Sequence, residues 1–125
     1  MIGTLLQVAL GGAIGASARW GMGLWVLRVT GPGFPLAVLS VNVLGSFVMG
    51  LAVVAMAQRG LSQFAPLVQT GILGGFTTFS AFSLEAFALM EKGQAGQAAA
   101  YILLSVGASI GGLYLGVLLG RGLLA

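Results

Sequence analysis

The chain has 125 residues, of which 58% are hydrophobic and only 6% charged, and its mean hydropathy is +1.09. That balance excludes an ordinary water-soluble domain, in which roughly a quarter of the residues carry charge. With no Cys and no His, thiolate, disulfide and imidazole chemistry are absent, and the net charge of +3 rests on only five cations, which marks no nucleic-acid partner. No nucleophile–base pair, zinc site or nucleotide motif can be assembled from what remains, so the chain does not read as an enzyme.

Four apolar stretches, roughly 3–28, 36–57, 67–90 and 97–120, each come near or exceed the ~20 residues that a bilayer requires. The first break, from Arg28 to Pro35, is rich in turn residues, and the second ends in Pro66, suited to a helix start. The third break, Glu91 to Gln97, is short and polar. The start of the chain lacks a basic region and a clear cleavage site, so it reads as the first span. The expected fold is all-α and integral to the membrane: one domain, 1–125, of four transmembrane helices surrounded by lipid.

The loops carry balanced charge. Arg59 and Arg121 would lie on one side, Arg28 and Lys92 on the other, and Arg19 inside the first span tips the count only weakly. The positive-inside rule then has little to act on, and copies inserted both ways can pair antiparallel. Glycine contributes 22 residues, and Gly11 with Gly15, Gly12 with Ala16, Gly107 with Gly111, and Gly112 with Gly116 and Gly120 form small-residue stripes. Such stripes let helix backbones approach closely, so a compact bundle is expected, with any transport path running between subunits.

Polar residues within the spans are costly and therefore informative. At 1.5 Å per residue, Arg19 lies roughly 13 Å from the first-loop end of its helix. Asn42, Glu85 and Tyr101 fall about six, five and four residues from that same side on the other three helices. This common depth suggests a water-accessible vestibule in which Arg19 attracts anions. An ion pair between Arg19 and Glu85 is the structural alternative.

The third stretch departs furthest from an ordinary span: Gly74-Gly75-Phe76-Thr77-Thr78-Phe79-Ser80-Ala81-Phe82-Ser83-Leu84-Glu85. Gly74 and Gly75 are expected to loosen the helix near its midpoint, with threonine hydroxyls bonding back to freed carbonyls. In an antiparallel pair, carbonyls of Gly74 and Thr77 from two chains can surround a small hard cation at the centre, though an ordinary kink fits the spacing as well. Phe76, Phe79 and Phe82 recur at spacing three, with Ser80 and Ser83 interleaved. Ring edges are electropositive, so rings turned edge-inward can solvate a small anion without trapping it, and Asn42 adds an amide donor.

These residues resemble the Fluc/CrcB family of fluoride channels. The resemblance runs over the whole chain and rests on Gly11, Gly12, Gly15 and Arg19, on Asn42-Val43-Leu44-Gly45-Ser46, and above all on the segment Gly74 to Glu85. It implies an antiparallel, dual-topology homodimer in the bacterial or archaeal cytoplasmic membrane, exporting fluoride passively through two pores. It further implies that Phe79 and Phe82 line fluoride positions, with Asn42 as pore amide and Arg19 as vestibule cation. Glu85 and Tyr101 would form a polar group at one end, Ser105 and Ser109 a hydroxyl track, and the Gly74 and Thr77 carbonyls a structural sodium (Na+) site. The chain departs from the family pattern at Val38 and Ala81, where threonine is common. Two competing readings are a small multidrug-type proton-coupled exporter and a non-conducting scaffold subunit. The exporter expects its glutamate in the first helix, where this chain has Arg19.

Overall fold

The structure is a computed structural model describing residues 1–124. Its elements are helical throughout, with no strand among the described residues. Helix α1 spans Ile2–Thr30 and α2 spans Leu36–Arg59. A 3₁₀ turn, Ser62–Phe64, leads into α3, a π-helical run Pro66–Leu73 that continues as the α-helical turn Gly74–Phe76. After a break at Thr77 and Thr78 come α4, Phe79–Glu91, and α5, Ala95–Leu124. Two of the connections use glycine where the backbone turns left-handed: Gly60 (φ 65°) stops α2 and Gly93 (φ 75°) joins α4 to α5. A side chain at either position would meet the steric penalty of that conformation, about 1 kcal/mol.

Three helical segments are long and apolar enough to cross a membrane: Leu36–Arg59, Ser62–Glu91 taken as one broken unit, and Ala95–Leu124. Helix α1 is not among them. Its 29 residues suffice in length, but Gln7, Arg19 and its glycines dilute its apolar content. Outward-facing positions are nonetheless apolar on α1 and elsewhere, including Trp20, Trp25, Leu103, Tyr114 and Leu123. A water-soluble bundle would bury these side chains; here many large apolar side chains face outward, while glycines make the close helix contacts.

The close approaches are made by glycine. A Cβ on Gly50 would collide with the Leu113 carbonyl, and one on Gly116 with the Phe47 carbonyl, so α2 and α5 touch backbone to backbone. Val43 lies beside Gly112, Phe47 beside Gly116 and Val54 beside Gly120; the numbers rise together, so the two helices run parallel. The same holds for α1 and α3, where Gly11 meets Leu67 and Gly71 while Gly15 meets Ile72 and Phe76. Successive long helices therefore alternate in direction. Gly107 and Gly111, by contrast, have no neighbour within 4 Å, so that stripe does not pack within the chain.

The expectation for Gly74 and Gly75 needs correction. Both are helical, and the chain leaves the helix at Thr77 (ψ 157°) and Thr78 (φ −150°, ψ 120°). Gly75 is small for a packing reason: a Cβ there would lie 3.0 Å from the Gly12 carbonyl and 3.2 Å from the Ala16 nitrogen. Gly71 and Gly75 dock the broken helix on α1, and the threonines break it. The break also divides the phenylalanine series. Phe76 packs near Gly15 and Gly45 between α1 and α2, away from Phe79 and Phe82.

Candidate functional site

A helix interrupted in hydrocarbon exposes backbone groups that must find partners inside the protein. Asn42 supplies two. Its Oδ1 accepts from the Thr78 N–H at 2.7 Å and its Nδ2 donates to the Thr78 carbonyl at 3.0 Å. That N–H would otherwise close a helical turn on the Gly74 carbonyl. Leaving one such group unpaired costs about 1–3 kcal/mol, so this two-point clamp outweighs an ordinary polar contact. Two further bonds at the break are local. Thr77 Oγ1 donates to the Leu73 carbonyl at 2.9 Å, and Thr78 Oγ1 caps α4 by accepting from the Ala81 N–H at 3.1 Å. From the other flank, Arg19 Nε donates to the Gly75 carbonyl at 3.0 Å.

Two clefts open on opposite flanks of this break, and both are lined by Thr78. The larger, about 490 Å³, lies between the end of α1, the α1–α2 connection and α4. Arg19, Glu85 and Lys92 line it together with apolar residues such as Leu24 and Val38. The smaller, about 320 Å³, lies between α2, the break and α5. It carries no charged residue. Asn42 and Ser46 come from α2, Thr77 and Phe79 from the break and the start of α4, and Ser105 and Ser109 from α5. Phe82 reaches the same cleft, its ring 5.3 Å from that of Phe79 at 69°, an edge-to-face pair.

The two rings are held differently. Phe82 is 7% exposed and stacks against Tyr101, the centroids 5.2 Å apart, within a cluster that includes Ala86, Leu89 and Ala98. Phe79 is 75% exposed, so a single chain leaves its ring uncovered. Tyr101 is fully buried and lines neither cleft; its hydroxyl donates to Glu85 Oε2 at 3.0 Å. Glu85 thus has its bond from Tyr101 and Arg19 its bond to Gly75, although both line the larger cleft.

The residues singled out by sequence are therefore sorted by flank. Asn42, Phe79, Phe82, Ser105 and Ser109 share the uncharged cleft, and Arg19 and Glu85 share the charged one. Ser80 and Ser83 line neither; both are exposed, and Ser83 Oγ donates to the Phe79 carbonyl at 2.9 Å. Ser46 was missed by sequence reasoning, yet one signal was available, since it follows Asn42 by four residues on the same helical face. Among the described residues no group of three or more His, Cys, Asp or Glu could hold a metal ion; the oxygens at the break are backbone carbonyls and neutral side-chain oxygens.

Residues 6–117 match the family described as CrcB-like protein, Camphor Resistance (CrcB). A protein of Ruegeria sp. (strain TM1040) named fluoride-specific ion channel FluC is 60% identical over 125 residues, covering 99% of this chain and 99% of its own length. One of the same name from Cereibacter sphaeroides is 57% identical over 125 residues, covering 100% of both chains. A third, from Paracoccus denitrificans, is 50% identical over 122 residues and covers 98% of both. On the extent of these matches, the chain belongs to the CrcB-like family.

Proposed function

We propose that this multi-pass membrane protein is a passive, selective fluoride channel and not an enzyme. The observation that carries the reading is the uncharged cleft, where two phenylalanine rings meet an amide and seryl hydroxyls. Hydroxyl and amide hydrogens together with ring edges offer a small anion partial positive charge from several sides, without a full charge that would hold it. The relatives named fluoride-specific ion channels support fluoride as that anion.

In this reading the chain crosses the cytoplasmic membrane four times, α1 included, and pairs antiparallel with a second copy. The exposed ring of Phe79 is covered at that interface, and Phe79 and Phe82 from both copies line two pores. Asn42 keeps one amide hydrogen for the ion after clamping Thr78, while Ser105 and Ser109 continue the path. Arg19 and Glu85 form a vestibule, with Tyr101 holding the carboxylate in place. Ser80 and Ser83, exposed on one chain, can join the path only where the partner closes it.

The Gly74 and Thr77 carbonyls fit a sodium ion by donor type, being hard, neutral oxygens at a break whose helical partner N–H is taken by Asn42. The ion would supply charge to hold two broken helices together at the dimer centre. An exporter has less support, because the only intramembrane carboxylate lies in the other cleft from the aromatic pair.

The test is efflux from liposomes containing the purified protein. Fluoride is expected to leave down its gradient with no ion coupling while chloride stays; equal release of both would overturn the reading.

A further inference from the structure

Hydroxyls around the uncharged cleft fall into two groups. Those of Thr77 and Thr78 are engaged by the backbone of their own broken helix. Ser105 is the opposite case: the residue is 5% exposed, and its Oγ is buried with no partner. Burying a hydroxyl without a hydrogen bond is costly, so that atom is placed for a guest. Ser109 and Ser46 line the same cleft, and neither forms a side-chain hydrogen bond among the described residues.

The parallel register of α2 and α5 orders these groups along the path. With Val43 beside Gly112 and Phe47 beside Gly116, Ser109 stands close to the level of Asn42, and Ser105 one turn nearer to Tyr101. One turn in the other direction, α5 offers Gly112 and Leu113, neither with a hydroxyl and neither lining the cleft. Ser46 on α2 stands there instead, next to Gly45, whose close contact is the Thr77 methyl. The free donors thus pass from one helix to the other at the level of the break.

We infer that Ser46 contacts the conducted anion, continuing the Ser105–Ser109 series at its inner end beside the helix break. The inference rests on the channel reading above. A seryl O–H donates one strong hydrogen bond to a small anion and carries no net charge, so the ion binds and leaves. The residue would act with the second amide hydrogen of Asn42, one helical turn away.

The experiment compares fluoride efflux from liposomes for the native chain, Ser46→Ala and Ser46→Thr, with assembly of each checked by gel filtration in detergent. Ser46→Ala is expected to slow efflux about tenfold and to raise the fluoride concentration giving half-maximal flux. Ser46→Thr, which keeps the hydroxyl, should stay within about twofold of native flux. Native flux in Ser46→Ala would overturn the inference while leaving the channel reading intact. Equal loss in both variants would overturn it too, by showing that volume and not the hydroxyl matters. Absence of fluoride efflux from the native chain would instead overturn the channel reading.

Discussion

The two clefts flank one helix break, share Thr78, and are built from opposite materials. The larger holds Arg19, Glu85 and Lys92; the smaller holds rings, hydroxyls and an amide. Full charges attract ions from a distance but also hold them, so they belong where an ion is gathered. Neutral dipoles and ring edges bind weakly at short range, which suits a place where an ion must pass. In the channel reading proposed above, gathering would fall to one flank and passage to the other, and the break that separates them is held by Asn42 on one side and Arg19 on the other.

The sharpest way to break this contrast is Phe79→Ile. Because the ring is largely exposed on one chain, the fold depends little on it, and a change in flux reports the path. Efflux of fluoride should fall at least about a hundredfold, near 2.7 kcal/mol in barrier height, with the protein still assembled. Unchanged efflux would remove the uncharged cleft from the pathway.

Asn42→Leu comes next, because it deletes both bonds to Thr78 and leaves its N–H and carbonyl unpaired in an apolar setting. The expected loss is about 2–4 kcal/mol of stability, read as an earlier unfolding transition in detergent by the fluorescence of Trp20 and Trp25. Native stability together with reduced flux would show that Asn42 serves the ion and not the break.

The smallest effects belong to the charged cleft. Arg19→Gln should lower fluoride flux several-fold at low ionic strength, and Lys92→Gln about twofold, with the Lys92 effect vanishing near 1 M salt where charges beyond ~3 Å are screened. Salt-independent loss for Lys92→Gln would mean that its charge does not gather ions.

Much of this was legible in the chain because the bilayer simplifies the reading. Apolar runs placed the long helices, and counting residues from their ends gave Arg19, Asn42, Glu85 and Tyr101 a similar depth. Arg19, however, bonds at Gly75, Asn42 at Thr78 and Tyr101 at Glu85, which are different levels of the third helix. A constant rise per residue gives position along one helix relative to its own end, and not the offset between helices. Lateral position is a different matter. Asn42 and Thr78 are 36 positions apart, and no local pattern pairs them. The spacing-three series Phe76, Phe79 and Phe82 read as one stripe, but the break sends Phe76 to another side of the bundle. Ser80 and Ser83 follow their phenylalanines by one residue, about 100° around the helix, which turns them out of the cleft. Gly74 and Gly75 read as the flexible point on composition alone, whereas both are helical and α1 needs the small size of Gly75.

By itself, then, the sequence determined the membrane class, the long apolar helices, the lack of thiol and imidazole groups, and the family to which the chain belongs. Each follows from apolar length, residue type or motif, which are local properties. The tertiary structure decided where the third helix breaks, which residue pins it, and how the polar side chains divide between a charged and an uncharged cleft. Those outcomes depend on which helix faces meet. Glycine contacts between α1 and α3 and between α2 and α5 set that choice, and it has no expression in any single helix.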